Sequence, residues 1–247
     1  MDKIRVGAVS YLNTKPLLYG LNRTVLGDHI EIREDYPARV AQMLLDDQID
    51  VGLVPVAIIP KLADPHIITN YCIGTEGEVA SVGIFSEVPM EEIRTVLLDY
   101  QSRTSVRLAR LLLKEYWKKE VIIEHASEDF RSRINGTTAG VVIGDRALEQ
   151  RSLSPCMYDL GAAWKAHTGL PFVFAAWVAN KRLPVSFEKD FSAVNAYGLA
   201  HIPEVVAAHP YPVYDLLHYY TQNISYELTD QKREGLARFL DWVRLNG

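Results

Sequence analysis

The chain has 247 residues, 48% hydrophobic and 23% charged, enough apolar content for one large core or for two lobes of about a hundred residues each. A net charge of -5 argues against nonspecific binding to nucleic acid, and no run approaches the roughly 18 apolar residues that span a bilayer. Met1 to Arg5 lead straight into a strand without an apolar signal segment, and Cys72 and Cys156 fit no disulfide framework or metal pattern, so reduced, buried thiols in a cytoplasmic protein are expected.

Ile4 to Val9 reads as a short buried strand, Ser10 to Lys15 as a polar break, and Pro16 as the opening of a helix, where a fixed φ suits the first turn. Ser10, Asn13 and Thr14 therefore stand ahead of a helix N-terminus, beside its positive dipole end. Such groups either cap the helix or hold an anionic ligand. Ile30 to Glu34 alternates like a strand, and Pro37 starts a helix with Val40, Met43 and Leu44 at helical spacing. Asp50 to Pro55 is a compact apolar strand. Residues 3 to 55 thus read β-α-β-α-β, the pattern of a parallel sheet. A short helix over Pro55 to Leu62 and a strand over Ile67 to Ile73 follow.

Ala80 to Ser86 begins a second set of elements. Thr95 to Leu98 is a buried strand, Asp99 to Ser105 a polar turn, and Val106, Ala109, Leu112 and Leu113 mark the inner side of an amphipathic helix. Val121 to Ile123 reads as a strand, Ser127 to Ile134 as a short helix closed by Asn135-Gly136, and Ala139 to Ile143 as a strand delivering Gly144 and Asp145 to another helix. Phe172 to Ala179 is an apolar strand too long for the edge of a small sheet. Beyond it the pattern is wholly helical, around Phe187, Phe191 and Val194, over Val213 to Tyr220, and from Thr229 to the end. A late helical segment after a strand suggests that the chain crosses back. The expected lobes are 1–82 with 178–247, and 83–177, joined by two crossings near 80 to 84 and 172 to 178. A ligand cleft between them, at the carboxyl ends of strands, is expected.

Catalytic motifs are few. The seven histidines show no closely paired spacing, and no phosphate-binding loop, dinucleotide fingerprint or nucleophile elbow is present. No metal is expected. Asp145 is either an acid–base group or a helix cap. What remains is hydroxyl and amide groups at turns that should face one cleft: Ser10, Asn13, Ser81, Ser102, Thr104 and Ser105. In the turn Ser102-Arg103-Thr104-Ser105, hydroxyls and N–H groups converge as they do around carboxylates and phosphates, although capping accounts for one of the three. The residues alone reach a two-lobed α/β protein that holds a small organic anion.

The string Gly7-Ala8-Val9-Ser10-Tyr11-Leu12-Asn13-Thr14-Lys15-Pro16-Leu17 closely resembles the N-terminal motif of the chorismate dehydratase family of the futalosine route to menaquinone. The likeness continues at 50–57, Ala80-Ser81-Val82-Gly83, 102–105, Gly144-Asp145-Arg146, 159–164 and 168–177, nearly the whole chain. It implies the fold of type II periplasmic binding proteins with a two-strand hinge. It implies removal of water from chorismate to give 3-[(1-carboxyvinyl)oxy]benzoate, by a hydro-lyase without cofactor or metal. Asn13 and Ser81 match residues that line the active site in that family, and Ser10, Ser102, Thr104, Ser105, Gly144 and Asp145 are expected at the substrate. The sister enzyme that makes 1,4-dihydroxy-6-naphthoate and plain solute-binding proteins share the fold. The first string and Thr168 to Trp177 favour the dehydratase.

Overall fold

The two sheets belong to two lobes. The structure, a computed structural model, describes residues 3–246 except Asn22 and Thr24; Met1, Asp2 and Gly247, expected in the first lobe, lie outside the described residues. In the first sheet β1 (Ile4–Val9) pairs in parallel with β2 (Ile30–Asp35) and β3 (Val51–Pro55), through α1 (Lys15–Leu21) and α2 (Pro37–Leu45). This is the β-α-β-α-β order that periodicity predicts. A 3-10 helix, Val56–Lys61, leads to β4 (His66–Thr75).

The chain then crosses to the second sheet. There β6 (Thr95–Leu98) pairs in parallel with β7 (Ile122–His125) and β8 (Thr138–Ile143), while β5 (Val82–Ser86) runs antiparallel to β8 and to β9 (Cys156–Asp159). Helices α3 (Thr104–Glu115), α4 (Asp145–Gln150) and α5 (Leu160–Thr168) cover it. The helix expected over Ser127 to Ile134 is absent and only a single 3-10 turn forms, Arg131–Arg133. Asp129 accepts the Arg131 backbone N–H at 3.2 Å and grips its guanidinium, so a local side-chain bond replaces the helical one. β9 and α5 have no clear periodicity in sequence.

β10 (Phe172–Ala179) returns to the first sheet and runs antiparallel between β3 and β4. All eight of its residues are buried, which requires partners on both edges and cover on both faces. Residues 172–177, expected in the second lobe, therefore belong to the first sheet. Thr75 pairs with Phe172, so the two crossings leave the sheet side by side.

Then come α6 (Val185–Ala200), α7 (Ile202–Ala208), the one-turn α8 (Leu216–His218), a π-helix at Tyr219–Asn223, β11 (Ser225–Glu227) and α9 (Asp230–Asn246). β11 is a strand inside the stretch that reads as wholly helical; three residues suffice because β4 supplies their partners. α6 packs on α1 at backbone contact: a Cβ on Gly198 would lie 1.9 Å from the Pro16 carbonyl oxygen. Edge-to-face rings hold α9 against β10, with Phe172 and Phe239 centroids 5.0 Å apart. Cys72 is buried, whereas Cys156 is partly exposed. Among the described residues, no helix is long and apolar enough to cross a membrane.

Candidate active site

Between the lobes lies a cavity with about 510 Å³ of empty space, part of it open to solvent. Tyr11, Asn13 and Thr14 enter it from the loop after β1, Ser81 from the first crossing, and Ser102, Thr104 and Ser105 from the head of α3. Gly144 enters ahead of α4, and Val9, Pro55, Ile73 and Phe174 supply apolar wall. Among the described residues, no charged side chain lines the cavity. The fold thus brings together Asn13, Ser81, Ser102, Thr104, Ser105 and Gly144.

Ser10 and Asp145 stand apart from that lining. Ser10 is exposed, and its N–H donates to the Asp35 carbonyl at 3.1 Å. β1 and β2 stay in register to their ends, which turns this residue outward. The Asp145 carboxylate accepts the Leu12 N–H of the opposite lobe at 3.0 Å and 3.3 Å. Burial pushes its pKa up to about 6, against the pull of that bond.

Ser81 is presented by a strained backbone. Ala80 has φ +62°, the left-handed region that non-glycine residues enter at a cost of about 1–3 kcal/mol. The Asp159 carboxylate holds it there, accepting from the N–H groups of Val79 at 3.1 Å and Ala80 at 2.8 Å while capping α5 through Ala162 at 2.9 Å. Burial raises the Asp159 pKa to about 6, and the three N–H donors oppose it. The Ser81 carbonyl accepts from the Gly144 N–H at 2.9 Å, so the two turns brace each other.

At the α3 head, Ser102 Oγ accepts from the Ser105 N–H at 3.0 Å, a capping bond. Thr104 Oγ1 accepts from the Ala57 N–H of the other lobe at 3.2 Å. Both hydroxyls keep a proton to donate, and Ser105 faces the cavity beside them. One member of the turn therefore caps, one bridges the lobes, and the N-terminal dipole is directed at the space between.

Several participants escape a sequence reading. Tyr11 packs on Gly144, which has φ +66° and where a Cβ would lie 2.6 Å from the ring. The Tyr11 hydroxyl donates to Gln101 Oε1, which also accepts from Arg146 at 2.9 Å. Arg146 in turn pairs at 2.7 Å with Asp99, whose side chain is fully buried. Tyr219, wholly buried, donates to Ser81 Oγ at 2.7 Å. Tyr11 and Arg146 lie inside the resembling strings; nothing about Tyr219 except its place in an expected helix marks it. With the Ala38 N–H donating to the Gln101 carbonyl at 3.0 Å, these bonds hold the lobes closed.

Fold and site define a two-lobed α/β protein of the periplasmic-binding-protein type, with an uncharged, hydroxyl-rich cavity in its cleft. Its fold is similar to that of a protein of Archaeoglobus fulgidus (TM-score 0.73, 12% identity, covering 99% of this chain and 98% of that one). It is also similar to the periplasmic aliphatic sulphonate binding protein SsuA from Escherichia coli (TM-score 0.60, 13% identity, 100% and 93%). The chain belongs to the menaquinone biosynthesis family, whose sequence model matches residues 4–244. Its relatives include the chorismate dehydratases of Thermus thermophilus, 27% identical over 97% of this chain and 95% of that protein, and of Campylobacter jejuni, 24% identical over 95% of each.

Proposed function

We propose that this protein is itself a chorismate dehydratase, a hydro-lyase of menaquinone biosynthesis that converts chorismate and releases water. The observation that carries this reading is a cavity between the lobes with converging hydroxyl, amide and N–H donors and, among the described residues, no carboxylate, histidine or lysine in its wall. A dianion is received there by dipoles and hydroxyls at the α3 head. A cytoplasmic location accompanies the reading.

The same lining bears on the mechanism. The proton leaves the ring carbon bearing the enolpyruvyl ether, the neighbouring hydroxyl departs as water, and the ring gains its third double bond. Asn13 has no useful pKa, and burial raises Tyr11 above the ordinary phenol range, so neither serves as base. The substrate's own enolpyruvyl carboxylate takes the proton and passes it to the departing hydroxyl, which balances the step. Asn13 and Ser81 orient the ring and hydrogen-bond negative charge as it develops.

The test is incubation of the purified protein with chorismate, followed by mass and ultraviolet spectra. Loss of one water with appearance of the aromatic product is expected. Release of 1,4-dihydroxy-6-naphthoate from its cyclised precursor, with chorismate untouched, would overturn the reading in favour of the sister activity. Chorismate binding without turnover would leave a solute-binding protein.

A further inference from the structure

Tyr219 has no place in the mechanism above, yet its hydroxyl ends 2.7 Å from Ser81 Oγ in a setting closed to water. The ring belongs to a π-helix, Tyr219–Asn223, an irregularity that recurs at functional sites. Tyr220 follows it inward, with ring centroids 5.6 Å apart, and Tyr226 donates to the Asn13 carbonyl at 2.9 Å. A stack of aromatic residues from the last third of the chain thus backs both Asn13 and Ser81.

The direction of the hydrogen bonds gives this backing a chemical role. The Tyr219 hydroxyl donates to Ser81 Oγ, while on the neighbouring turn Asn13 Oδ1 accepts from Thr14 Oγ1 at 3.3 Å. Burial holds Tyr219 protonated. A protonated phenol has one hydrogen to give, and Ser81 Oγ lies in reach. A serine oxygen that accepts from a phenol has its hydrogen left for the cavity.

We propose that Tyr219 is a positioning residue that, by donating to Ser81 Oγ, makes the Ser81 O–H point into the cavity at the substrate. Tyr219 does not line the cavity and acts only through Ser81. The inference rests on the dehydratase reading. Without the phenol, Ser81 rotates among its three staggered positions and loses its preorganised aim.

Tyr219→Phe keeps the ring and removes the hydrogen bond. Its kcat with chorismate should fall about 10- to 100-fold, the scale on which outer partners of a functional group act. KM should move less than about threefold, since only an interaction of the transition state is lost. Adding Tyr219→Phe to Ser81→Ala should lower kcat no further than Ser81→Ala alone, because the phenol works through that serine. A merely structural role would give losses that multiply. Normal turnover by Tyr219→Phe, or multiplied losses in the double variant, would overturn the inference while leaving the dehydratase reading intact. If the single variant does not fold, the double variant, in which both polar partners are gone, still gives the comparison with Ser81→Ala. A wild-type protein inert toward chorismate overturns the function and this inference together.

Discussion

The Asp145 carboxylate, at the head of α4, accepts the Leu12 N–H across the cleft at 3.0 Å, so a side chain at the carboxyl end of one lobe's strand closes the other lobe's first turn. Such a carboxylate is occupied in holding the lobes together and is not part of the cavity lining. Asp145→Asn keeps an acceptor oxygen for Leu12. Turnover of chorismate by this variant should stay within about tenfold of the wild type. Complete loss with intact folding and binding would make Asp145 the base.

Acid dependence of stability follows from the same residue and from Asp159. Both carboxyls are raised to about 6 by burial. A raised carboxyl binds its proton in the folded state before the unfolded one does. Its contribution is therefore present below the ordinary carboxylate pKa and lost as pH rises through about 6. Asp50 has the opposite sign: Arg5 beside it lowers its pKa, so its contribution is present at neutral pH and lost in strong acid. Asp145→Asn should remove part of the decline between about pH 4 and 6, by no more than about 3 kcal/mol. Urea unfolding at several pH values reads this; an unchanged pH profile counts against it.

The turn from Ser102 to Ser105, proposed to receive the substrate carboxylate, separates into parts that can be tested one at a time. Ser105→Ala removes a cavity hydroxyl that bridges no lobes, and should weaken chorismate binding in calorimetry while the melting temperature holds. Thr104→Ala also strips the Ala57 N–H of its partner, and leaving a buried donor unpaired costs about 1–3 kcal/mol. That variant should lose binding and stability together. Thr104→Ser should recover stability. Equal behaviour of Ser105→Ala and wild type in binding would move the carboxylate site elsewhere.

The chain's local patterns carried most of the fold. The β-α-β-α-β opening, the buried strand at 172–179 and the helix from Thr229 all follow from periodicity, because each buries one face or both over a long enough run. What failed was decided by distant partners. β11 exists because β4 offers it an edge, and β10 joins the first sheet through pairing that its own residues do not encode. Ser102, Thr104 and Ser105 were legible as cavity-lining residues because three hydroxyls exceed what a cap needs. Tyr219 was not, since its partner Ser81 lies 138 positions away. Ser10 and Asp145 had the right residue types next to the right elements, but strand register and the bond to Leu12 leave them outside the cavity lining.

Asn13 gives the sharpest kinetic signature. Its amide lines the cavity and it sits where the first loop meets the tyrosines, without any proton to exchange at neutral pH. Asn13→Ala should lower kcat about 100- to 1000-fold, the cost of one preorganised donor. Chorismate should still bind, since the α3 head is untouched. Loss of binding with unchanged kcat at saturation would reassign Asn13 to substrate capture.

Gly144 links backbone geometry to closure of the cleft. Its φ of +66° lies where an L side chain is strained, and a Cβ there would reach the Tyr11 ring at 2.6 Å. The ring cannot retreat freely, because its hydroxyl is held by Gln101 and that amide by Arg146. Gly144→Ala must therefore move the ring, the turn or the whole lobe. With ψ at -148° this is a conformation essentially reserved for glycine, and it alone costs another residue about 1–3 kcal/mol; displacing Tyr11 also opens the contact between the first loop and α4. Activity with chorismate should fall more steeply than stability, since the second lobe's core, away from this turn, is undisturbed. Adding Tyr11→Ala to Gly144→Ala removes the clash and leaves the strain. If the double variant regains stability without activity, the ring itself is needed to close the cavity; a Gly144→Ala protein with full turnover would show that closure does not depend on this contact.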